Sequence, residues 1–248
     1  SIRDCNRAPY EVIVVDDGSA ETVEDIVAEF APEARYIYQE NQGAASARNT
    51  GITASSGDYL RFLDADDYLC SADALDKQVE MLDSNERLGL VYSQSLQVDA
   101  SGTITALRAP WFARQSYIRS GEDELFDLIC RNYITMSTVL ARRSVIIEAG
   151  LFRTDLRTAD GRSRTNEDHE CWIHVARIAD IGYLHEPTAC YRVHGSNVSI
   201  RKSDAQLAKE MEAIDRFFAD EEFARRYASA RQAISRRRLL KVSKVAFR

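Results

Sequence analysis

Apolar positions in the N-terminal part of this chain come in short unbroken blocks, each closed by acidic or small residues. Val12-Ile13-Val14-Val15 runs into Asp16-Asp17-Gly18-Ser19, the pattern of a parallel strand buried on both faces. Glu21 to Phe30 follows as a helix that Ser19 is placed to cap. Arg35 to Gln39 is a second short strand. Asn41 to Ile52 is a helix of small residues opened by Gly43 and ended before Gly57. Tyr59-Leu60-Arg61-Phe62-Leu63 is a third strand, and it stops in three carboxylates, Asp64, Asp66 and Asp67. Strand, helix, strand, helix, strand predicts a mostly parallel α/β sheet flanked by helices.

Downstream, Leu75 to Leu82 has helical spacing and Leu88 to Val98 alternates as a strand. Asp99-Ala100-Ser101-Gly102 turns the chain into a partner strand, Thr103 to Leu107. Arg108 to Gly121 carries Trp111, Phe112 and Tyr117 among several arginines with no clear period. These aromatics either pack under a loop or stand on it to meet sugars or lipid. Glu122 to Asn132 is an amphipathic helix, Thr135 to Arg142 a strand, and Ser144 to Ala149 a short helix closed by Gly150. After a polar stretch from Asp155 to Asn166, which reads as a mobile loop, Asn166 caps a helix with Glu167 and Asp168 in its first turn. Gly182 to Leu184 and, past Pro187, Ala189 to Val193 are strand-like, and His194 closes the second. Asp204 to Arg248 is helical in pattern.

The chain has 248 residues, 45% of them hydrophobic, enough for one main core with an appendage. We place that domain at residues 1–200 and a helical tail at 201–248. A net charge of −7 speaks against a nucleic-acid partner. Five scattered cysteines without a C-x-x-C spacing predict free thiols in a reducing compartment. No apolar run approaches the ~20 residues that span a bilayer, so the expected location is cytoplasmic. The tail shifts from Asp220, Glu221 and Glu222 to a basic run ending at Arg248, interleaved with Leu239, Leu240, Val242, Val245 and Phe247. That pattern suits peripheral contact with the anionic inner face of a membrane, a solvated helix, or packing on the acidic domain.

The chemistry lies at the strand ends, where open α/β sheets bind ligands. Asp16 and Asp17 close the first strand. Asp64 and Asp66, one residue apart, can share a hard cation such as Mn²⁺ or Mg²⁺, which in turn can hold a diphosphate; the plainer reading is a solvated acidic turn. Arg48 offers a guanidinium fork for phosphate or carboxylate, or is an ordinary surface residue. Asp168 is ordinary at a helix N-terminus, and His194 is either structural or a metal ligand.

In this order the pieces resemble the family 2 glycosyltransferases with the GT-A fold, a Rossmann-like α/β sheet. The residues that carry the resemblance are Val14 to Ser19, Asn41 to Ile52, Phe62 to Asp67, Glu167-Asp168 with Trp172, and Tyr191 to Ser196. It implies an inverting, metal-dependent transferase that moves a sugar from a nucleotide-sugar donor, with UDP as the expected nucleotide. The acceptor would be a glycan or lipid-linked hydroxyl in cell-surface polysaccharide synthesis. By resemblance Asp16 and Asp17 contact the nucleotide base, Arg48 the nucleotide region, and Asp64 and Asp66 the metal and ribose-diphosphate. His194 resembles a further metal ligand and Asp168 the catalytic base, with Asp160 a weaker rival. The family's usual opening strand, upstream of Asp16, has no counterpart in Ser1 to Tyr10, which suggests a fragment or a late gene start. Two other readings are a non-catalytic nucleotide-sugar-binding remnant and a nucleotidyltransferase on a related fold. The second ordinarily needs a Gly-rich phosphate loop near the N-terminus, which is not seen.

Overall fold

The computed structural model describes residues 11–70, 73, 75–155, 167–194 and 214–234. The first strand, β1 (Ile13–Asp17), pairs in parallel with β2 (Arg35–Gln39), and α1 (Glu24–Phe30) connects them. Helix α2 (Ala44–Ala54) packs back on β1, where its small residues permit close approach: a Cβ on Gly51 would lie 3.6 Å from Val15. The chain then enters a seven-stranded sheet through β3 (Tyr59–Arg61) and β4 (Tyr68–Leu69).

The centre of that sheet is β5 (Leu88–Val98), buried along almost its whole length. It pairs antiparallel with the hairpin strand β6 (Ile104–Arg108) and with β8 (Leu140–Arg142), and in parallel with β9 (Asp180–Arg192). Strands β3, β4 and β7 (Tyr117–Arg119) add antiparallel to β8, β9 and β9 respectively. The expected α/β class is present, but the sheet is not mostly parallel. Among the described residues only the β1–β2 and β5–β9 pairs run parallel, because strand–helix–strand crossovers operate in the first segment while hairpin and reversed strands build the rest.

Three other expectations are corrected. The strand predicted over Thr135–Arg142 is a 3₁₀ turn, Met136–Thr138, followed by the short β8. Strand β9 continues through Pro187, which lies opposite Gln94 between register shifts, so the irregularity absorbs the missing backbone donor. Tyr117–Arg119, given no period from sequence, is a strand.

Helices α3 (Asp76–Asp83), α4 (Gly121–Cys130), α5 (Arg143–Glu148) and α6 (Glu167–Ala176) cover the sheet. Trp172 of α6 is fully buried, with Phe62 and Phe152 against its ring at centroid distances of 6.5 and 5.8 Å. The C-terminal segment joins the same core: residues 214–218 and α7 (Glu221–Arg226) bury Phe217, Phe218 and Phe223, and Arg216 donates to the buried Glu170 of α6. The apolar side of this part therefore faces the protein. The basic run beyond residue 234 lies outside the described residues. Among the described residues no helix is long and apolar enough to cross a membrane, and Cys70, Cys171 and Cys190 are thiols outside any disulfide.

Close contact of α4 with α6 depends on Gly121. A Cβ there would fall 2.1 Å from the Ala176 carbonyl oxygen and 2.3 Å from that of Ala179. Both obstacles are backbone and cannot swing aside. We expect Gly121→Ala to destabilise the protein by about 3 kcal/mol, read as a lowered urea midpoint; a shift of under ~0.5 kcal/mol would show that the helices do not abut there.

Candidate functional site

The acidic loop after β3 is held from below. Asp67 is nearly buried; its Oδ2 accepts from the Ser137 hydroxyl at 2.6 Å and its Oδ1 from the Arg192 amide at 2.9 Å. Burial pushes its carboxyl up to about 6, against the pull of those two hydrogen bonds. The Ser137 oxygen in turn accepts from the Asp64 amide at 3.1 Å, and the Asp67 amide closes a turn onto the Asp64 carbonyl at 3.0 Å. One serine of the 3₁₀ turn thus fixes both ends of the Asp64–Asp67 turn. The loop can then present Asp64 and Asp66 outward, 38% and 39% exposed at their side chains.

The two exposed carboxylates meet different partners. Asp66 Oδ2 lies 2.8 Å from His194 Nε2, at the end of β9, and the Asp66 carbonyl accepts from Arg192 Nε at 3.1 Å. Asp64 Oδ1 accepts from Arg48 Nη2 at 3.0 Å. The Asp64, Asp66 and His194 side chains expected to share one cation therefore divide into an Asp66–His194 pair and an Arg48-bound Asp64. No group of three His, Cys, Asp or Glu side chains converges on a metal-sized point among the described residues. The physical reason is charge: with a guanidinium at hand, Asp64 satisfies itself there rather than beside another carboxylate.

Arg48 reaches further. Its Nη1 donates to Glu167 Oε1 at 2.9 Å and its guanidinium lies over the Phe152 ring at 5.7 Å. The neighbouring carboxylates raise its pKa, although burial works the other way. Burial, reinforced by the Asp168 charge, raises the Glu167 carboxyl, and Arg48 opposes that rise. Arg48 thus joins α2, the acidic loop and the N-terminal turn of α6. The next residue, Asp168, has its Oδ2 3.1 Å from the Asn132 amide nitrogen, which donates to it, and its Oδ1 accepts from the His169 amide at 2.7 Å. Asn166 and Asp160, the expected cap and the rival base, lie outside the described residues.

Asp16 and Asp17 stand apart from this group. Asp16 accepts from Tyr36 at 2.7 Å and from the Ser19 amide at 2.9 Å, and these bonds hold its carboxyl below the usual range. Asp17 spends both oxygens on the entrance to α2, accepting from Gln39, the Gln42 amide and the Gly43 amide at 2.6–2.8 Å. That geometry makes Asp17 a positioning residue for α2, whose next turn carries Arg48. The sequence assigns no role in the site to Ser137, Asn132, Glu167 or Asp67, although Glu167 and Asp67 lie in the motifs that carry the resemblance. Only the last two carry a signal, by adjacency to Asp168 and Asp66.

Comparison with known proteins bears on this arrangement. The family model described as glycosyl transferase family 2 matches residues 1–145. An uncharacterised glycosyltransferase of Rickettsia bellii is 28% identical over 192 residues, covering 77% of this chain and 25% of the relative. Chondroitin synthase of Escherichia coli is 25% identical over 210 residues, covering 83% of this chain and 28% of the enzyme. The chain thus spans about a quarter of the length of these relatives. Among solved structures, S. aureus TarS residues 1–349 with UDP superposes with a TM-score of 0.64 at 19% identity, covering 93% of this chain and 62% of that one. The same TarS fragment with UDP-GlcNAc gives 0.65 at 16% identity, covering 90% and 63%. These likenesses are of fold.

Ser137 generates a direct test of the loop's support. Ser137→Ala removes the hydroxyl shared by Asp67 and the Asp64 amide, and leaves both groups short of a partner. We expect a loss of about 2 kcal/mol in unfolding free energy. A loss below ~0.5 kcal/mol by urea titration would show that the loop is held elsewhere.

Proposed function

This chain belongs to glycosyl transferase family 2, and from that premise we propose that it transfers a sugar from a UDP-sugar to an acceptor hydroxyl with inversion at the anomeric carbon. Its fold is GT-A. A uridine donor is favoured because the TarS fragments of the same fold hold UDP and UDP-GlcNAc. The observation that carries the mechanism is the ion-pair bridge from Asp64 through Arg48 to Glu167, the residue that immediately precedes Asp168 in the first turn of α6. It holds the Asp64–Asp67 turn and a carboxylate base on one rigid frame, which is the preorganisation a displacement needs.

In this reading Asp168 takes the proton from the acceptor hydroxyl as its oxygen attacks the anomeric carbon. Asn132, bonded to Oδ2, aims the carboxylate. Attack comes from the face opposite the departing UDP, so a single displacement inverts the centre. Arg48 keeps Glu167 from repelling Asp168 and keeps Asp64 in register. For the divalent cation the Asp66–His194 pair is a fitting donor set, one carboxylate oxygen with one imidazole nitrogen. The nitrogen favours Mn²⁺ over Mg²⁺. Such a cation, when bound, offsets the charge that builds on the leaving diphosphate. Asp16, beside Tyr36 at the end of β1, is the candidate contact for the uracil base.

Asp168→Asn keeps the size of the side chain and its approach to Asn132 but removes the base. It is expected to cut sugar transfer by about 10³-fold while leaving UDP affinity unchanged. Donor-dependent transfer at the wild-type rate in this variant would remove the proposed base. Binding of UDP by wild-type protein without turnover of any UDP-sugar would favour a binding module instead.

A further inference from the structure

The molecule's two tryptophans have opposite surroundings. Trp172 is fully buried, whereas Trp111, in the loop between β6 and β7, is 50% exposed. Exposure has not left it loose. Its ring stands edge-on to Phe112 at 4.9 Å and 89° and to Tyr133 at 5.7 Å and 85°. Phe112 and Tyr133 pack edge-on to each other at 5.3 Å, and the Arg131 guanidinium lies 5.5 Å from the centre of the indole.

Beneath this corner is a polar hub that the proposed chemistry does not use. Glu124 is completely buried, and its Oε1 accepts from the hydroxyls of Tyr133, Tyr117 and Tyr92 at 2.8, 3.0 and 3.2 Å. Its Oε2 is paired with Arg119 at 3.0 Å. A buried carboxylate is tolerated only with such partners, so Tyr133 is locked in place, and through Tyr133 so is Trp111. The next residue back along the chain from Tyr133 is Asn132, which holds Asp168. One three-residue segment, Arg131-Asn132-Tyr133, therefore carries the indole's neighbours and the base's positioning residue. Covalent geometry keeps the indole within roughly 20 Å of the Asp168 carboxylate, a span of a few sugar rings.

We propose that Trp111 and Arg131 form a distal acceptor subsite that binds a pyranose ring of a glycan acceptor. The flat C–H face of a pyranose matches the electron-rich face of an indole. A ring pre-positioned by two aromatic neighbours gives up little conformational freedom when it binds. Arg131 supplies donors for the hydroxyl or carboxylate oxygens at the sugar's rim. The surroundings fit a glycan better than a lipid chain or an apolar protein face. The guanidinium of the exposed Arg131 lies against the indole, and exposed Arg114 and Gln115 follow Trp111 in the same loop, so the ring is bordered by hydrogen-bond donors. This assignment rests on the glycosyltransferase reading and extends it to the acceptor.

The test uses the full chain with saturating UDP and Mn²⁺ on an immobilised panel of neutral and uronate-containing oligosaccharides, with UDP affinity measured separately by calorimetry. Wild-type protein is expected to bind at least one glycan class. Trp111→Ala should weaken that binding by about tenfold, and Trp111→Phe should restore most of it. Arg131→Ala should weaken uronate-containing glycans more than neutral ones. UDP affinity should be the same in all four proteins, since none of these changes touches the acidic loop. Unchanged glycan binding by Trp111→Ala overturns the subsite, as does wild-type protein that binds UDP but no glycan in the panel. Wild-type protein that binds neither overturns the functional reading together with the subsite.

Discussion

The site is organised around one guanidinium. Arg48 is nearly buried and touches carboxylates from two distant parts of the chain, Asp64 at 3.0 Å and Glu167 at 2.9 Å. Taking a charge out of water is costly, and a buried pair recovers that cost only with good geometry and full hydrogen bonding. Arg48 pairs at 2.9 and 3.0 Å, and its planar fork allows one side chain to serve two acceptors, which a lysine would do poorly. The result is a cross-brace between α2, the acidic loop and α6. Removing it would leave two carboxylates facing each other near Asp168, with nothing positive between them.

The frame around the brace follows from the same need to place like charges in one small volume. Asp17 fixes the start of α2 and so the direction from which Arg48 comes. Ser137 fixes the loop from beneath, and Arg192 ties it to the end of β9, so that Asp66 reaches His194. Asp64 and Glu167 share the Arg48 fork, while Asp168 accepts from Asn132 and Asp67 from Ser137. Asp66 and His194 meet at 2.8 Å with their side chains 39% and 31% exposed, and this is the pair we propose for a divalent cation.

Much of this was legible in the sequence, and the limits have physical reasons. Strands β2 and β5 span the residues expected of them, Arg35–Gln39 and Leu88–Val98, and for β5 near-complete burial leaves little choice of structure. Strand β7 was missed because three residues at a sheet edge leave no periodicity to read, and the antiparallel pairing was missed because pairing direction depends on connections rather than on burial. The sequence offers Asp16, Asp17, Arg48, Asp64, Asp66, Asp168 and His194 as candidates but does not disclose the partners they have in the fold. Ser137 sits 70 residues from Asp67 and Glu167 sits 119 from Arg48, separations that no local pattern encodes. Hence the contact of Asp64 with Arg48 is not visible from the sequence.

The central claim is that the Asp64–Asp67 turn and His194 form a donor site for a uridine nucleotide with a divalent cation. Calorimetric titration of UDP into the chain, with and without Mn²⁺, tests it most directly. The expected result is saturable binding that requires Mn²⁺ and that Asp66→Ala and His194→Ala each weaken. Binding of equal strength without the metal, or no binding by demonstrably folded protein, would contradict it.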